Sequence, residues 1–155
     1  MWKSCCRGRH KVFFWLLLRD RLNTRNILRR KRRYLDDYHC ALCSANTEET
    51  LFHLFFECSF SQWCWRFLNV RWNFNLMDMD MLIQARKDFK SKIFIEVVII
   101  AAWAIWTHRN EVIFYGTHIS LRRWKQLFRD EFSLLLHRAK PTFKLELQTW
   151  LSSFH

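Results

Sequence analysis

The sequence predicts an all-α chain organised around one irregular, cysteine-bearing knuckle. Only two Gly and one Pro occur in 155 residues, too few for the tight turns that many short strands require. Half the residues are hydrophobic and 17% are aromatic, a composition that can bury a core and argues against disorder. Apolar side chains also recur near the helical period, most clearly at Leu121, Trp124, Leu127, Phe128, Phe132, Leu135 and Leu136.

Taken in order, residues 10–22 form a first helix, apolar nearly all round and expected to be buried on more than one side. Asn23 or Thr24 caps a second, "RNILRRKRR", a cationic rod whose apolar anchors are Ile27 and Leu28. Residues 34–47 are short and polar and suit a loop. Thr47, followed by Glu48 and Glu49, opens a helix through "TLFHLFFEC", with its acids where the macrodipole favours them. Ser59 or Ser61 opens "QWCWRFLNV", and Asp78 or Asp80 caps "MLIQARKDF". Residues 91–115 form the longest helix, ended by Gly116, and Ser120 opens another that runs until Pro141 breaks it. A weakly patterned link near residues 72–78 divides a cysteine-containing module, residues 1–72, from a cysteine-free helical extension, residues 73–155.

The charge is polarised. Of a formal net +12, residues 1–33 hold +11, with twelve Lys or Arg against Asp20 alone. That asymmetry is an electrostatic footprint for a polyanion, because each neutralised phosphate releases condensed counterions; the bland alternative is a solvated basic face. Val12 to Leu18 is apolar behind a basic start, but Arg19-Asp20-Arg21 stands where a signal peptide needs small residues. Secretion is therefore not expected, and a mitochondrial presequence remains a minor alternative. The run from Ile93 to Trp106 is fourteen residues with Glu96 inside it, short of the roughly 18–20 needed to span a bilayer, and reads as a buried core helix.

Six cysteines are present. Four potential ligands follow the pattern Cys40-x2-Cys43-x9-His53-x4-Cys58, the thiolate and imidazole donors that Zn²⁺ prefers, with the first pair on a two-residue knuckle. In an ideal helix residues five apart differ by about 140° and 7.5 Å of rise, so His53 and Cys58 cannot share one undistorted face. The helix is expected to loosen near Phe55 to Glu57 and swing Cys58 to the metal. Four protein ligands fill a tetrahedron and make the site structural. His39 and Cys64 are the spare ligands, and small buried thiols around a core His are the alternative reading.

Tyr34-Leu35-Asp36-Asp37 spells the Y-x-D-D of a polymerase active site. Such a motif works on a hairpin between apolar strands, with a third carboxylate and two Mg²⁺ ions. Here it lies between "RRKRR" and the Cys knuckle, so Asp36 and Asp37 read as a solvated turn, and no catalytic residue is expected.

The segments "FFWLLLRDRLNTRNILRRKRR" and "CALCSANTEETLFHLFFECSFSQWCW" closely resemble the reverse-transcriptase zinc-binding domain of plant non-LTR, LINE-type retrotransposon polyproteins. The resemblance covers about residues 10–66, implies zinc ligands at Cys40, Cys43, His53 and Cys58, and places family aromatics at Phe14, Trp15, Phe55, Trp63 and Trp65. The later "WAIWTHRNEVIF" is similar to the helical tail of such elements. Two departures stand out: the lead-in "MWKSCCRGRH" lacks the usual Pro, and these 155 residues do not include the polymerase domain that the family leads one to expect upstream. The resemblance thus implies a detached C-terminal piece of a retroelement, whose partner would be a polymerase core in the parent polyprotein.

The implied role is nucleic-acid binding, to RNA or DNA, without polymerisation. The expected phosphate contacts are Arg25, Arg29, Arg30, Lys31, Arg32 and Arg33, with Tyr34 as a stacking surface, while most tryptophans sit in apolar helical registers and belong to the core. The competing readings are a zinc-stapled protein-interaction domain and a retroelement remnant without a task. A reduced-thiol site points to an intracellular location, nucleus or cytoplasm; no membrane or small-molecule substrate is expected.

Overall fold

The structure, a computed structural model, describes residues 4–154. Met1, Trp2 and Lys3 of the predicted module, and His155, lie outside the described residues. Among the described residues there are seven α-helices, one π-helical turn and no strand. In order these are α1 (Gly8–Leu18), α2 (Arg25–Arg30), the π turn (His53–Glu57), α3 (Ser59–Phe67), α4 (Asp78–Phe89), α5 (Phe94–Tyr115), α6 (Leu121–Leu135) and α7 (Pro141–Ser152).

Helix α5 is the axis of the fold. Its residues from Phe94 to Ala102 are all buried, followed by Ala104, Ile105, His108 and Arg109, and α1, α3, α4 and α6 pack around it. By length and composition it is apolar enough to cross a membrane; here its side chains are the centre of the core. Burial holds the carboxyl of Glu96 above the usual carboxylate range. A single hydrophobic cluster runs from Phe13 and Leu17 of α1 through Leu54, Trp65 and Ile99 to Phe128, Phe132 and Leu147, so residues on both sides of the predicted boundary at 72–73 share it. Phe13 meets Trp103 edge to face at 5.3 Å, and Phe55 stacks on Trp106 at 6.3 Å.

Several element boundaries differ from the sequence expectation. Helix α1 buries one stripe, His10, Phe13, Phe14 and Leu17, while Val12 and Trp15 are exposed; its apolar composition overstated how much of it is covered. Arg19 lies over the exposed Trp15 ring at 5.1 Å. Helix α6 starts as expected, with the Ser120 hydroxyl accepting from Arg123 N–H at 3.1 Å, but ends at Leu135 instead of reaching Pro141. Pro141 opens α7 at its first turn, where its missing N–H leaves no intrahelical bond unmade.

With so few glycines, the chain turns out of its helices on residues that carry a Cβ. Asp20, Arg32 and Asn69 all have positive φ. After α1, Arg21 N–H reaches Leu16 O and Asp20 N–H reaches Leu17 O; after α2, Arg33 N–H reaches Leu28 O and Arg32 N–H reaches Arg29 O; after α3, Val70 N–H reaches Trp65 O and Asn69 N–H reaches Arg66 O. Each pair of bonds is a Schellman ending, which satisfies otherwise orphaned carbonyls. The cationic rod predicted to run to Arg33 therefore stops at Arg30, because the chain reverses hand at Arg32. Gly116 ends α5 in the same left-handed region, as expected.

Candidate metal centre

The knuckle begins where α2 ends. Tyr38 O–H donates to Arg33 O at 2.8 Å and its oxygen accepts Leu35 N–H at 3.0 Å, which folds the Tyr34–Asp37 turn back on itself. One antiparallel bridge, His39 to Glu48, then clamps the base of the Cys loop through Cys40 N–H to Thr47 O at 2.8 Å and Glu49 N–H to Tyr38 O at 2.9 Å. Asn46, at positive φ, turns the loop. Glu48 is thus a bridge residue, with the Thr47 carbonyl accepting beside it, and neither starts a helix. The helical segment begins at Leu51, with the Thr50 hydroxyl accepting from His53 N–H at 3.0 Å.

From His53 the helix widens into the π turn. Cys58 N–H donates to His53 O at 2.6 Å, the i to i+5 bond that defines a π turn. This is the loosening that the five-residue spacing demands, beginning two residues before the expected place. It brings two residues that an α-helix would separate to the same side. Closing the turn leaves the carbonyls of Leu54 and Phe55 to be satisfied from outside it. Ser61 Oγ donates to Leu54 O, and Trp65 Nε1–H donates to Phe55 O at 2.6 Å, both from α3. Sequence reasoning placed Ser61 only as a helix-opening residue and Trp65 only as a family aromatic; neither spacing nor composition shows that both support the metal ligands.

The four donor atoms, from Cys40, Cys43, His53 and Cys58, all lie within 4.8 Å of one another. Cys40 Sγ stands 3.8 Å from Cys58 Sγ, and Cys43 Sγ stands 3.3 Å from His53 Nε2. A tetrahedral zinc with its usual bond lengths sets two sulfurs about 3.8 Å apart and a sulfur and a nitrogen about 3.5 Å apart. The residues therefore fit the ion, and Zn²⁺ is the cofactor this centre holds. All described cysteines are free thiols. Cys64 is fully buried and outside the cluster, and His39 is exposed with Nδ1 3.0 Å from Asp37; neither spare ligand is used.

The electrostatics favour a thiolate at the centre. Cys58 is pushed down to about 6, first by the Cys40 thiol donating to it, then by backbone N–H groups of Ser61 and Phe60 at the start of α3. Cys40 is pushed up because it supplies that hydrogen bond and is buried, and burial also raises Cys43. A metal takes the place of the shared protons, so binding it releases them. With all four positions filled by protein, the ion supplies cross-linking between the knuckle and the π turn.

Asp36 and Asp37 sit in an exposed turn with no strand beside them among the described residues. Asp37 Oδ1 accepts His39 N–H at 2.9 Å, which holds its carboxyl below the usual range, helped by Arg25 at 3.4 Å. The six expected phosphate contacts divide into two groups. Arg25 is half-buried and donates to His39 O at 2.7 Å; it braces the knuckle. Arg29, Arg30, Lys31, Arg32 and Arg33 are exposed. Arg29 meets Glu48 and Arg30 meets Asp20, each at 3.4 Å, and Lys31 reaches Asn23 at 3.0 Å. Arg32 and Arg33 have no ion-pair partner among the described residues. Among the family aromatics, Phe14, Phe55 and Trp65 are buried, while Trp15 and Trp63 are exposed.

Neither the curated proteins nor the solved structures contain a match to this chain. A family does match: the sequence model described as zinc-binding in reverse transcriptase aligns with residues 1–65, a span that contains all four ligands together with Ser61 and Trp65. This match and the four-ligand geometry support a zinc-binding domain of reverse-transcriptase type in the N-terminal part of the chain.

Proposed function

We propose that this protein is a zinc-stabilised nucleic-acid-binding module, without polymerase chemistry of its own, derived from the C-terminal part of a plant LINE-type reverse transcriptase. One observation carries the reading: the closed metal centre anchors a segment that presents Arg29, Arg30, Lys31, Arg32 and Arg33 together at the surface. Exposed cations held by a rigid support suit a phosphate backbone, since they position the polymer without reading its sequence. The family match agrees with this context, in which the natural partner is the polymerase core of a parent polyprotein and the location is intracellular. The test is binding to RNA and DNA oligonucleotides across a salt series. Affinity that falls steeply with added salt supports the proposal; absence of binding at low salt refutes it.

A second reading, a zinc-stapled protein-interaction domain, is favoured by one different feature. An apolar cavity of about 300 Å³ lies between α1, α4 and the π turn, walled by Phe14, Phe52, Phe55, Phe56, Trp72 and Met81. Such a cavity suits a bulky apolar side chain of a partner. Capture of a partner whose binding is insensitive to salt, and is lost in Met81→Trp, would select this reading over the first.

A further inference from the structure

Beside the cationic segment lies a groove of about 560 Å³, one wall formed by the Tyr34–Asp37 turn and the other by the C-terminal end of α5. Its lining is apolar at Leu35, Trp106 and Phe114 and polar at Asp36 and Asn110, with Arg25 and Arg109 also present but already paired with Asp37 and Glu49. The Phe114 ring lines this groove and is 70% exposed, and Tyr34 and Tyr115, next in sequence to the lining residues Leu35 and Phe114, are exposed by 91% and 83%. None of the three has a ring contact among the described residues. Phe114 and Tyr115 also lie outside residues 1–65, the part matched by the family.

Apolar rings left in water next to a run of cations are what a single strand needs: a charged rail for its phosphates and planar surfaces for its bases. A duplex keeps its bases stacked on one another and cannot use the rings. The acids of the groove do not oppose this. Asp37 is already paired with Arg25 and His39. Asp36, which has no cation partner among the described residues, is an acceptor for an exocyclic amino group, as Asp is for cytosine N4.

We propose that this groove takes one unpaired nucleobase of a single strand whose phosphates follow Arg29 to Arg33. The base stacks on Phe114, and its amino edge donates to Asp36. This rests on the nucleic-acid reading above and adds to it a strand preference, a base preference and a role for α5.

The experiment compares 12-mers of rC and rU with an RNA duplex of matched charge on the whole chain, as wild type, Phe114→Ala and Asp36→Ala. Both replaced side chains are exposed, and zinc content together with helical circular dichroism verifies the fold of each variant. Phe114→Ala is expected to weaken single-strand binding roughly 5- to 150-fold, the range found for a base–aromatic stack, and duplex binding less than twofold. The wild type should bind rC several-fold tighter than rU, and Asp36→Ala should abolish that ratio. If single strand and duplex bind equally and Phe114→Ala changes neither, the groove proposal falls while nucleic-acid binding stands. If no nucleic acid binds at low salt, both fall. An acidic peptide of equal charge that binds as tightly, and is weakened equally by Phe114→Ala, would make the groove a protein-docking site and overturn the assignment.

Discussion

Glu49 and Arg109, sixty residues apart in sequence, form a buried two-point ion pair, with Arg109 Nη2 2.6 Å from Glu49 Oε1 and Nε 3.2 Å from Oε2. Their side chains are 0% and 4% exposed. Glu49 also accepts Arg25 N–H at 2.9 Å and its backbone carbonyl accepts Asn26 N–H at 3.1 Å, while the Arg109 guanidinium covers the Trp106 ring at 4.6 Å. One carboxylate thus joins the start of α2, the base of the knuckle and the C-terminal part of α5.

Removing one partner of such a pair leaves a buried charge uncompensated. Arg109→Met should cost about 3–5 kcal/mol, read by urea denaturation with zinc held saturating. Combined with Glu49→Gln, which keeps an acceptor for Arg25 N–H, it should recover more than half of that loss. A double variant no more stable than Arg109→Met would mean that the pair's strength is not what joins these elements.

The metal centre predicts one zinc per chain. Cys40→Ser should lose the ion, and Cys64→Ser should keep it, because Cys64 packs in the core away from the four donors. Trp65→Phe keeps an aromatic ring, though a smaller one, and frees Phe55 O, so it should weaken zinc retention against a chelator and cost at least about 1–3 kcal/mol, the penalty for an unsatisfied buried acceptor. Metal analysis and chelator competition read all three, and zinc lost from Cys64→Ser would displace the ligand assignment.

Arg32 holds a left-handed conformation that costs an L-residue roughly 1–2 kcal/mol. Arg32→Gly should therefore stabilise the fold by about 1 kcal/mol. It should also lower the salt slope of nucleic-acid binding by about one. Stability and binding would move in opposite directions, and thermal unfolding set beside a salt titration checks both in one variant.

His108 predicts an acid sensitivity. Ser120 N–H donates to its Nε2 at 3.0 Å, leaving Nδ1 toward Glu111 at 3.4 Å, and burial lowers the pKa of the ring. Below the ordinary value of about 6.5 the unfolded chain binds a proton that the folded ring resists. The contribution of His108 is therefore complete above that pH and is lost as pH falls from there toward the depressed folded value. His108→Gln should flatten the stability profile across pH 5–7. A variant profile parallel to that of the wild type would assign the acid loss to other groups.

Much of the centre was legible before any coordinates. Donor chemistry and spacing pointed to the four ligands, and the mismatch between a five-residue gap and the α-helical repeat required the helix to open after His53. Ser120 and Gly116 were legible because a cap is made within three or four residues of itself. The less legible elements were those where the local signal was ambiguous. Thr47 looked like a cap until the bridge between His39 and Glu48 claimed its neighbourhood, and Pro141 looked like a stop when it is a start.

By itself the sequence determined the helical class, the ligand set, the need for a distorted turn and the pile of positive charge before residue 34, because each depends on periodicity, spacing or composition within a short stretch. Tertiary structure alone decided that Glu49 is buried against Arg109, that Ser61 and Trp65 close the π turn, that Arg25 braces while Arg32 and Arg33 have no ion-pair partner among the described residues, and that Phe114 and Asp36 line one groove. Those outcomes depend on which surfaces meet when distant helices pack, and burial then sets whether a charge must be paired or can stand in water.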